Sequence, residues 1–292
     1  MELPETMVYN KIIQTGRLAE KLGAQMLGLG AFTSVVGDGG ITIADALDVP
    51  VTTGDSYTVM VAVDAIREAA RVMEIPLSGA TAAVVGATGA IGSVCAELLA
   101  GEVERLVLIG RSREKLEGLR DRLQLKYRSE IVVSLTMDAL AESQLILTVT
   151  SAVHDVIRPE HLQPGSVVCD VARPRDVSAM VASARDDILV IDGGMVDVPG
   201  PVDFHFNFGF PPGKAYACMA ETIALTLEGR FEDYTLGKHL TRERVEEIDA
   251  VCKKHGFRVS GFRSFEKEVT EAQIETVRRN AKRVRKLLAT HP

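Results

Sequence analysis

TAAVVGATGAIG, residues 81–92, is the stretch that decides the fold. Its apolar half, AAVV, reads as a buried strand. Gly86, Gly89 and Gly92 then punctuate a turn that opens into a helix. A dinucleotide loop needs glycines in this order: a tight turn, close approach of backbone to a pyrophosphate, and close packing of helix on strand. The unbonded N–H groups and the positive end of that helix hold the phosphates. Gly86, Ala87, Thr88, Gly89, Ala90, Ile91 and Gly92 are therefore the expected phosphate-binding residues. A glycine-rich turn without a ligand is the competing reading, and the strand–turn–helix context weighs against it.

Outward from this unit the chain alternates. RLVLIGRS (105–112), EIVVSL (130–135), SQLILTVTS (143–151), GSVVCDVARP (165–174) and ILVIDGG (188–194) are short apolar runs separated by helical segments. Such alternation implies right-handed crossovers and a parallel sheet covered on both faces. The expected fold is α/β, a Rossmann-type doubly wound parallel sheet with a smaller first lobe and a C-terminal helical cap. The sequence-read boundaries are 1–77 for the first lobe, 78–210 for the dinucleotide domain and 211–292 for the helical region holding the candidate nucleophile. The first lobe reads as one helix over 9–23, one strand in AQMLGLGAF (24–32), polar loops, and a long helix before Pro76. That is too little to bury a sheet by itself. Either it packs on the C-terminal helices and a partner subunit, so that a homo-oligomer fits, or the chain begins inside a longer protein.

The second strand ends at Gly110-Arg111-Ser112-Arg113. NAD sites place a carboxylate here for the ribose 2′-hydroxyl. Arg111, Ser112 and Arg113 instead suit a 2′-phosphate, so NADP(H) is the expected cofactor. Thr150 and Ser151 follow the fourth strand and are expected in the same crevice, as is Asp192-Gly-Gly194 after the last.

Net charge is −7, from 33 Lys and Arg against 40 Asp and Glu, which argues against general nucleic-acid binding. No apolar run is long enough to span a membrane. The start, MELPETMVYNK, lacks the basic-then-apolar order of a signal peptide. Cys95, Cys169, Cys218 and Cys252 form no CxxC pair, so neither a zinc site nor a disulfide framework is expected. These features read as a cytoplasmic protein with reduced thiols.

Cys218 stands apart from the other three. In PPGKAYACMAETIALTLEG (211–229) it falls in the first turn of an expected helix, with Lys214 four residues earlier. A helix N-terminus and a nearby ammonium both lower a thiol pKa, which makes Cys218 the candidate nucleophile and Lys214 its candidate partner. A buried helix cysteine is the alternative.

LGAFTSVV (29–36), VTTGDSYT (51–58), AVVGATGAIGSVC (83–95), ACMAE (217–221), LEG (227–229) and KHGF (254–257) resemble, in this order, the blocks of the long-chain acyl-[acyl-carrier-protein] reductase family. The resemblance covers roughly residues 24–262. It implies a fatty-aldehyde-forming reductase in which Cys218 accepts the acyl group and Gly86, Thr88, Gly89 and Gly92 bind the nucleotide. An acyl thioester on acyl carrier protein or coenzyme A would be the substrate, and Lys214, Tyr216 or His205 a proton donor. The chain departs from the family in three places. Most of the segment expected before the GAFTS block is absent, so the resemblance is to an N-terminally shortened member. FHFNFGFPPG (204–213) differs from the cyanobacterial enzymes. A basic tail, Arg278, Arg279, Lys282, Arg283, Arg285 and Lys286, runs past their usual end; it reads either as a solvated helix flank or as a surface for an acidic carrier protein.

Three other readings compete. Tyr234-Thr-Leu-Gly-Lys238 spells the YxxxK of short-chain dehydrogenases, but it follows the helix-ending Gly229 and contains Gly237. A hydroxy-acid or shikimate-type dehydrogenase needs a lysine and a carboxylate in the first lobe. Asp38 and Asp55 are there, but no lysine lies in either loop. A non-catalytic NADP-binding redox module would require an inaccessible Cys218.

Overall fold

The structure is a computed structural model that describes residues 3–152, 154–207, 209 and 211–290. Two units part at Val61/Ala62, Gly193/Gly194 and Ser260/Gly261. One joins Met1–Val61 to Gly194–Ser260, and the other joins Ala62–Gly193 to Gly261–Pro292. This differs from the consecutive segments 1–77, 78–210 and 211–292. The first division falls inside the helix Asp55–Val72, where no composition change marks it.

In the second unit all six expected strands form one parallel sheet. Its order is Glu130–Ser134, Arg105–Ile109, Thr81–Val85, Leu145–Thr148, Val167–Asp170, Leu189–Asp192. The three strands from Leu145 onward are buried at every residue, which is why they read as continuous apolar runs rather than alternating ones. Helices Ala90–Ala100 and Arg113–Gln124 connect the first three strands. The order reverses between Thr81–Val85 and Leu145–Thr148, so the ligand crevice of such a sheet lies beyond the C-terminal ends of these two strands. The final helix, Glu271–Thr290, belongs to this unit. It buries Ile274 and Ala281, and Arg278 pairs with Glu74 at 2.8 Å.

In the first unit the run 24–32 yields only a two-residue strand, Leu27–Gly28, paired in parallel with Val51–Thr52. Leu29, Ile43 and Val51 form its small core, covered by Ile12, Ile13 and Leu47. Residues 194–260 supply the mass this lobe lacks. They bring an antiparallel sheet of Lys214–Tyr216, Met195–Asp197 and Arg258–Val259, and the helices Ala217–Glu228 and Arg242–Lys254. The region after Pro212 is therefore divided between two units, with a strand before its first helix. Among the described residues no helix is long and apolar enough to cross a membrane.

Candidate functional site

The phosphate loop is built as its glycines require. Gly86 has φ +83°, and its N–H and that of Ala87 bond to the carbonyl of Ile109 at 2.9 and 3.1 Å. The helix starts at Ala90 after Gly89, and its first i→i−4 bond is Ser93 N–H to the Gly89 carbonyl at 3.0 Å. The N–H groups of Ala90, Ile91 and Gly92 precede that bond at the helix start, the usual place for a bound phosphate. A side chain at Gly92 would put its Cβ 2.2 Å from the Gly86 carbonyl oxygen, so only glycine permits this approach. The cradle fits a pyrophosphate.

Two of the other expected segments lie beside the loop. A Cβ at Gly110 would lie 3.6 Å from Thr88 Oγ1, which sets the Arg111–Arg113 turn beside the loop. Arg111 and Arg113 are exposed, and Ser112 caps the next helix, accepting from Lys115 N–H at 3.4 Å. A Cβ at Gly86 would meet the Val149 carbonyl oxygen at 2.7 Å and Thr150 Cγ2 at 3.2 Å. Thr150 is clamped by the fully buried Asp176, whose Oδ2 accepts its N–H at 2.8 Å and whose Oδ1 accepts its hydroxyl. Asp176 also accepts from Thr148 Oγ1 at 2.5 Å. Ser151 is exposed. Asp192 is paired with Arg175 and accepts the Glu266 N–H, an internal tie of this unit.

Cys218 is the second residue of the helix Ala217–Glu228, as the sequence predicts, and lies in the other unit. It is partly exposed, whereas Cys95, Cys169 and Cys252 are buried. Gly30 lies beside its sulfur and Gly54 against its backbone. A Cβ at Gly30 would sit 3.6 Å from Sγ, and one at Gly54 would fall 2.2 Å from Cys218 Cα and 2.4 Å from Cβ.

The expected electrostatics do not hold. Lys214 lies in the strand before the helix, so the i,i+4 relation that would set it beside Cys218 is absent. Its ammonium instead bonds to Asp197 Oδ1 and Ser260 Oγ, each at 2.6 Å. Burial pushes the Cys218 thiol up to about 11, and the charges of Asp55 and Glu221 add to that. The Met219 N–H at the helix start lowers it, but by less.

Sequence reasoning missed Glu221, and it weighed Asp55 only as a first-lobe carboxylate of a shikimate-type enzyme, not as a neighbour of Cys218. Glu221, one turn after Cys218, is fully buried. Its Oε1 accepts from Thr52 Oγ1 at 2.5 Å and Thr235 Oγ1 at 2.7 Å, and its Oε2 accepts the Tyr57 N–H at 2.8 Å. This buried carboxyl ties the Thr52–Tyr57 turn, with Gly54 at its centre, to the cysteine helix. Burial raises the Glu221 pKa, opposed by these hydrogen bonds. Asp55 opens the helix Asp55–Val72 and is partly exposed. Burial, then the Glu221 charge, raise its carboxyl to about 7, and the Thr53 hydroxyl works against them. Both acids stand in quoted blocks, VTTGDSYT and ACMAE. Their proximity across more than 160 residues has no periodic signature, and the only signal was the blocks themselves. Tyr234 lies in a loop, bonded to Glu247 and the Arg244 carbonyl at 3.0 Å each, so it is a packing residue rather than half of a YxxxK pair. Among the described residues no cluster of three or more His, Cys, Asp or Glu could hold a metal ion.

Comparison with known proteins bears on this arrangement. The long-chain acyl-[acyl-carrier-protein] reductase of Synechococcus elongatus is 31% identical over 263 residues, covering 85% of this chain and 75% of that protein. The chain belongs to the family of that reductase. The aminotransferase PigE of a Serratia species is 36% identical over 262 residues, covering 88% of this chain but only 30% of that protein. A family model for shikimate/quinate 5-dehydrogenase matches residues 67–192, which fall within the nucleotide unit. Among solved structures the glutamyl-tRNA reductase of Methanopyrus kandleri is similar, with 19% identity, a TM-score of 0.36, and coverage of 78% of this chain and 44% of that one. This family member thus carries an NAD(P)(H)-binding oxidoreductase fold.

Proposed function

We propose that the chain reduces an acyl thioester to an aldehyde through an acyl-enzyme on Cys218. The observation that carries this reading is the setting of Cys218: the one accessible thiol of the four, at a helix start, with Gly30 beside its sulfur and Gly54 against its backbone. The thiolate attacks the thioester carbonyl, which divides one difficult displacement into two easier ones. N–H groups of the first helical turn are the nearest donors for the oxyanion that develops. Bound nicotinamide cofactor supplies the hydride that makes the product an aldehyde rather than an acid. The phosphates are held by residues 86–92, and Thr150 is fixed for the same crevice by Asp176. The shikimate-type alternative gains only the nucleotide unit from its matching model. No lysine occurs between Lys21 and Lys115 to serve it.

NADP(H) is the preferred form in this reading, through Arg111 and Arg113. An arginine–phosphate contact contributes roughly 1.5–3 kcal/mol. Arg111→Asp should therefore weaken NADPH binding by about tenfold or more and improve NADH binding, measured by fluorescence titration. Equal affinity of the native protein for both cofactors would remove the basis of this choice.

The carrier is read from charge. Of the six basic residues in the last helix, Arg278 pairs with Glu74, Lys282 lies 3.5 Å from the same carboxylate, and Arg285 Nε donates to the Pro164 carbonyl. Arg279, Arg283 and Lys286, spaced i, i+4, i+7, are exposed on one face and offer acyl carrier protein a docking surface. The purified chain with NADPH and an acyl thioester should release aldehyde, one per NADPH oxidised. KM for acyl-carrier-protein substrate should rise steeply between low and 0.1 M salt, where the screening length falls to about 10 Å. KM for acyl-coenzyme A should rise less. Absence of aldehyde from either substrate would refute the reading; equal salt responses would refute the docking face alone.

A further inference from the structure

We propose that Asp55 is the group that accepts the Cys218 proton as its sulfur bonds to the acyl carbon. This rests on the thioester reading above and assigns it a proton route. Gly54 packs its backbone directly against the Cys218 backbone in a turn that tolerates no side chain at its centre, and the charge of the next residue, Asp55, acts on the thiol. That turn is itself held by Glu221 through Thr52 and the Tyr57 N–H.

The neighbours leave Asp55 as the exchanger. Glu221 is fully buried, with three donors on its two oxygens, and it serves as frame. Lys214 is held by Asp197 and Ser260. Cys252 is buried, its thiol raised by burial and by the Glu221 charge, with Tyr57 lowering it. Arg244 offsets part of the Glu221 charge. Asp55 alone among the carboxyls acting on the sulfur is partly open to solvent, where a proton can arrive and leave.

The chemistry calls for such a group. A thiol raised to about 11 has roughly one molecule in 10⁴ ionised at pH 7, so ionisation must accompany attack rather than precede it. A carboxyl near 7 is about half in its base form there. As the sulfur–carbon bond forms, the thiol proton passes to the Asp55 carboxylate. The tetrahedral adduct then expels the carrier sulfur, and Asp55 returns the proton to it. The products are the Cys218 thioester and the free carrier thiol, with Asp55 restored and no oxidant or reductant consumed.

Asp55→Asn keeps the shape, and the ties of the turn to Glu221 do not pass through this side chain, so the turn survives. It removes both the base and one negative charge beside the sulfur. Two rates should then move in opposite directions. Alkylation of Cys218 by iodoacetamide at pH 8 should quicken several-fold, its pH profile displaced to lower pH. Acyl-enzyme formation from an acyl-coenzyme A at pH 7 should fall by about 10²-fold. In the native protein the acylation rate should climb through pH 7 as Asp55 ionises, and Asp55→Asn should flatten that limb. Asp55→Glu, which retains a carboxylate, should recover part of the acylation rate. Rates that fall together in Asp55→Asn, or acylation unchanged by it, would overturn the proposal. Failure of the native protein to form any acyl-enzyme would instead overturn the thioester reading on which it rests.

Discussion

Cys218→Ala should form no acyl-enzyme, and its aldehyde production should fall by at least about 10³-fold. The expected loss is this large because the other three thiols are buried and cannot substitute. Burial pushes the Cys95 thiol to about 12 and raises those of Cys169 and Cys252 as well. Cofactor affinity should change little, since residues 86–92 and Thr150 lie in a different unit from Cys218. Stability should shift by no more than about 1 kcal/mol, because the side chain is small and partly exposed. Steady-state turnover, NADPH titration and a denaturation curve on the one variant separate these effects. Aldehyde release at near-native rate would exclude the covalent route.

Gly54→Ala should be the most damaging single methyl group in the first unit. Gly54 has φ +75°, which an L side chain adopts only with strain. Its Cβ would also land 2.2–2.6 Å from Cys218 Cα, Cβ and O. Two of these are backbone atoms and cannot swing aside. The turn must therefore move away from the cysteine helix, pulling on the Thr52 and Tyr57 bonds to Glu221. A loss of about 2–4 kcal/mol in stability is expected, together with at least tenfold slower acylation. Gly79→Ala is the control, since a Cβ there meets nothing within 4 Å. Denaturant midpoints and acylation rates of both variants read the outcome. A Gly54→Ala protein as stable and active as the parent would show that the turn does not press on the nucleophile.

The nucleotide unit was largely legible in the sequence, and the reason is local. Each strand of its parallel sheet is a short, mostly apolar run, and every pairing but that of Thr81–Val85 with Leu145–Thr148 joins strands consecutive in the chain; Gly86 and Gly92 hold a turn and an approach that a side chain would block. The first unit was much less so. Its strands are two or three residues long, and its core is completed by chain that returns after Gly194. Cys218 was placed correctly because a helix start follows from the Pro-Pro-Gly before it. Lys214 was not, because the strand Lys214–Tyr216 is made by pairing with Met195–Asp197 and not by any propensity of its own. The rise in the thiol pKa was equally hidden. It comes first from burial and then from the charges of Asp55 and Glu221, on segments tied together by hydrogen bonds of Glu221 to Thr52 and Tyr57, 164 to 169 residues apart in sequence.

The central claim is that Cys218 carries the acyl group, and intact-mass spectrometry tests it most directly. The native chain is incubated with an acyl-coenzyme A and no nicotinamide cofactor, then quenched in acid to preserve the thioester. The mass should rise by one acyl group, hydroxylamine should remove it, added NADPH should discharge it as aldehyde, and Cys218→Ala should gain nothing. An unmodified native protein that nevertheless makes aldehyde once NADPH is supplied, or an acyl group that persists on Cys218→Ala, would contradict the account.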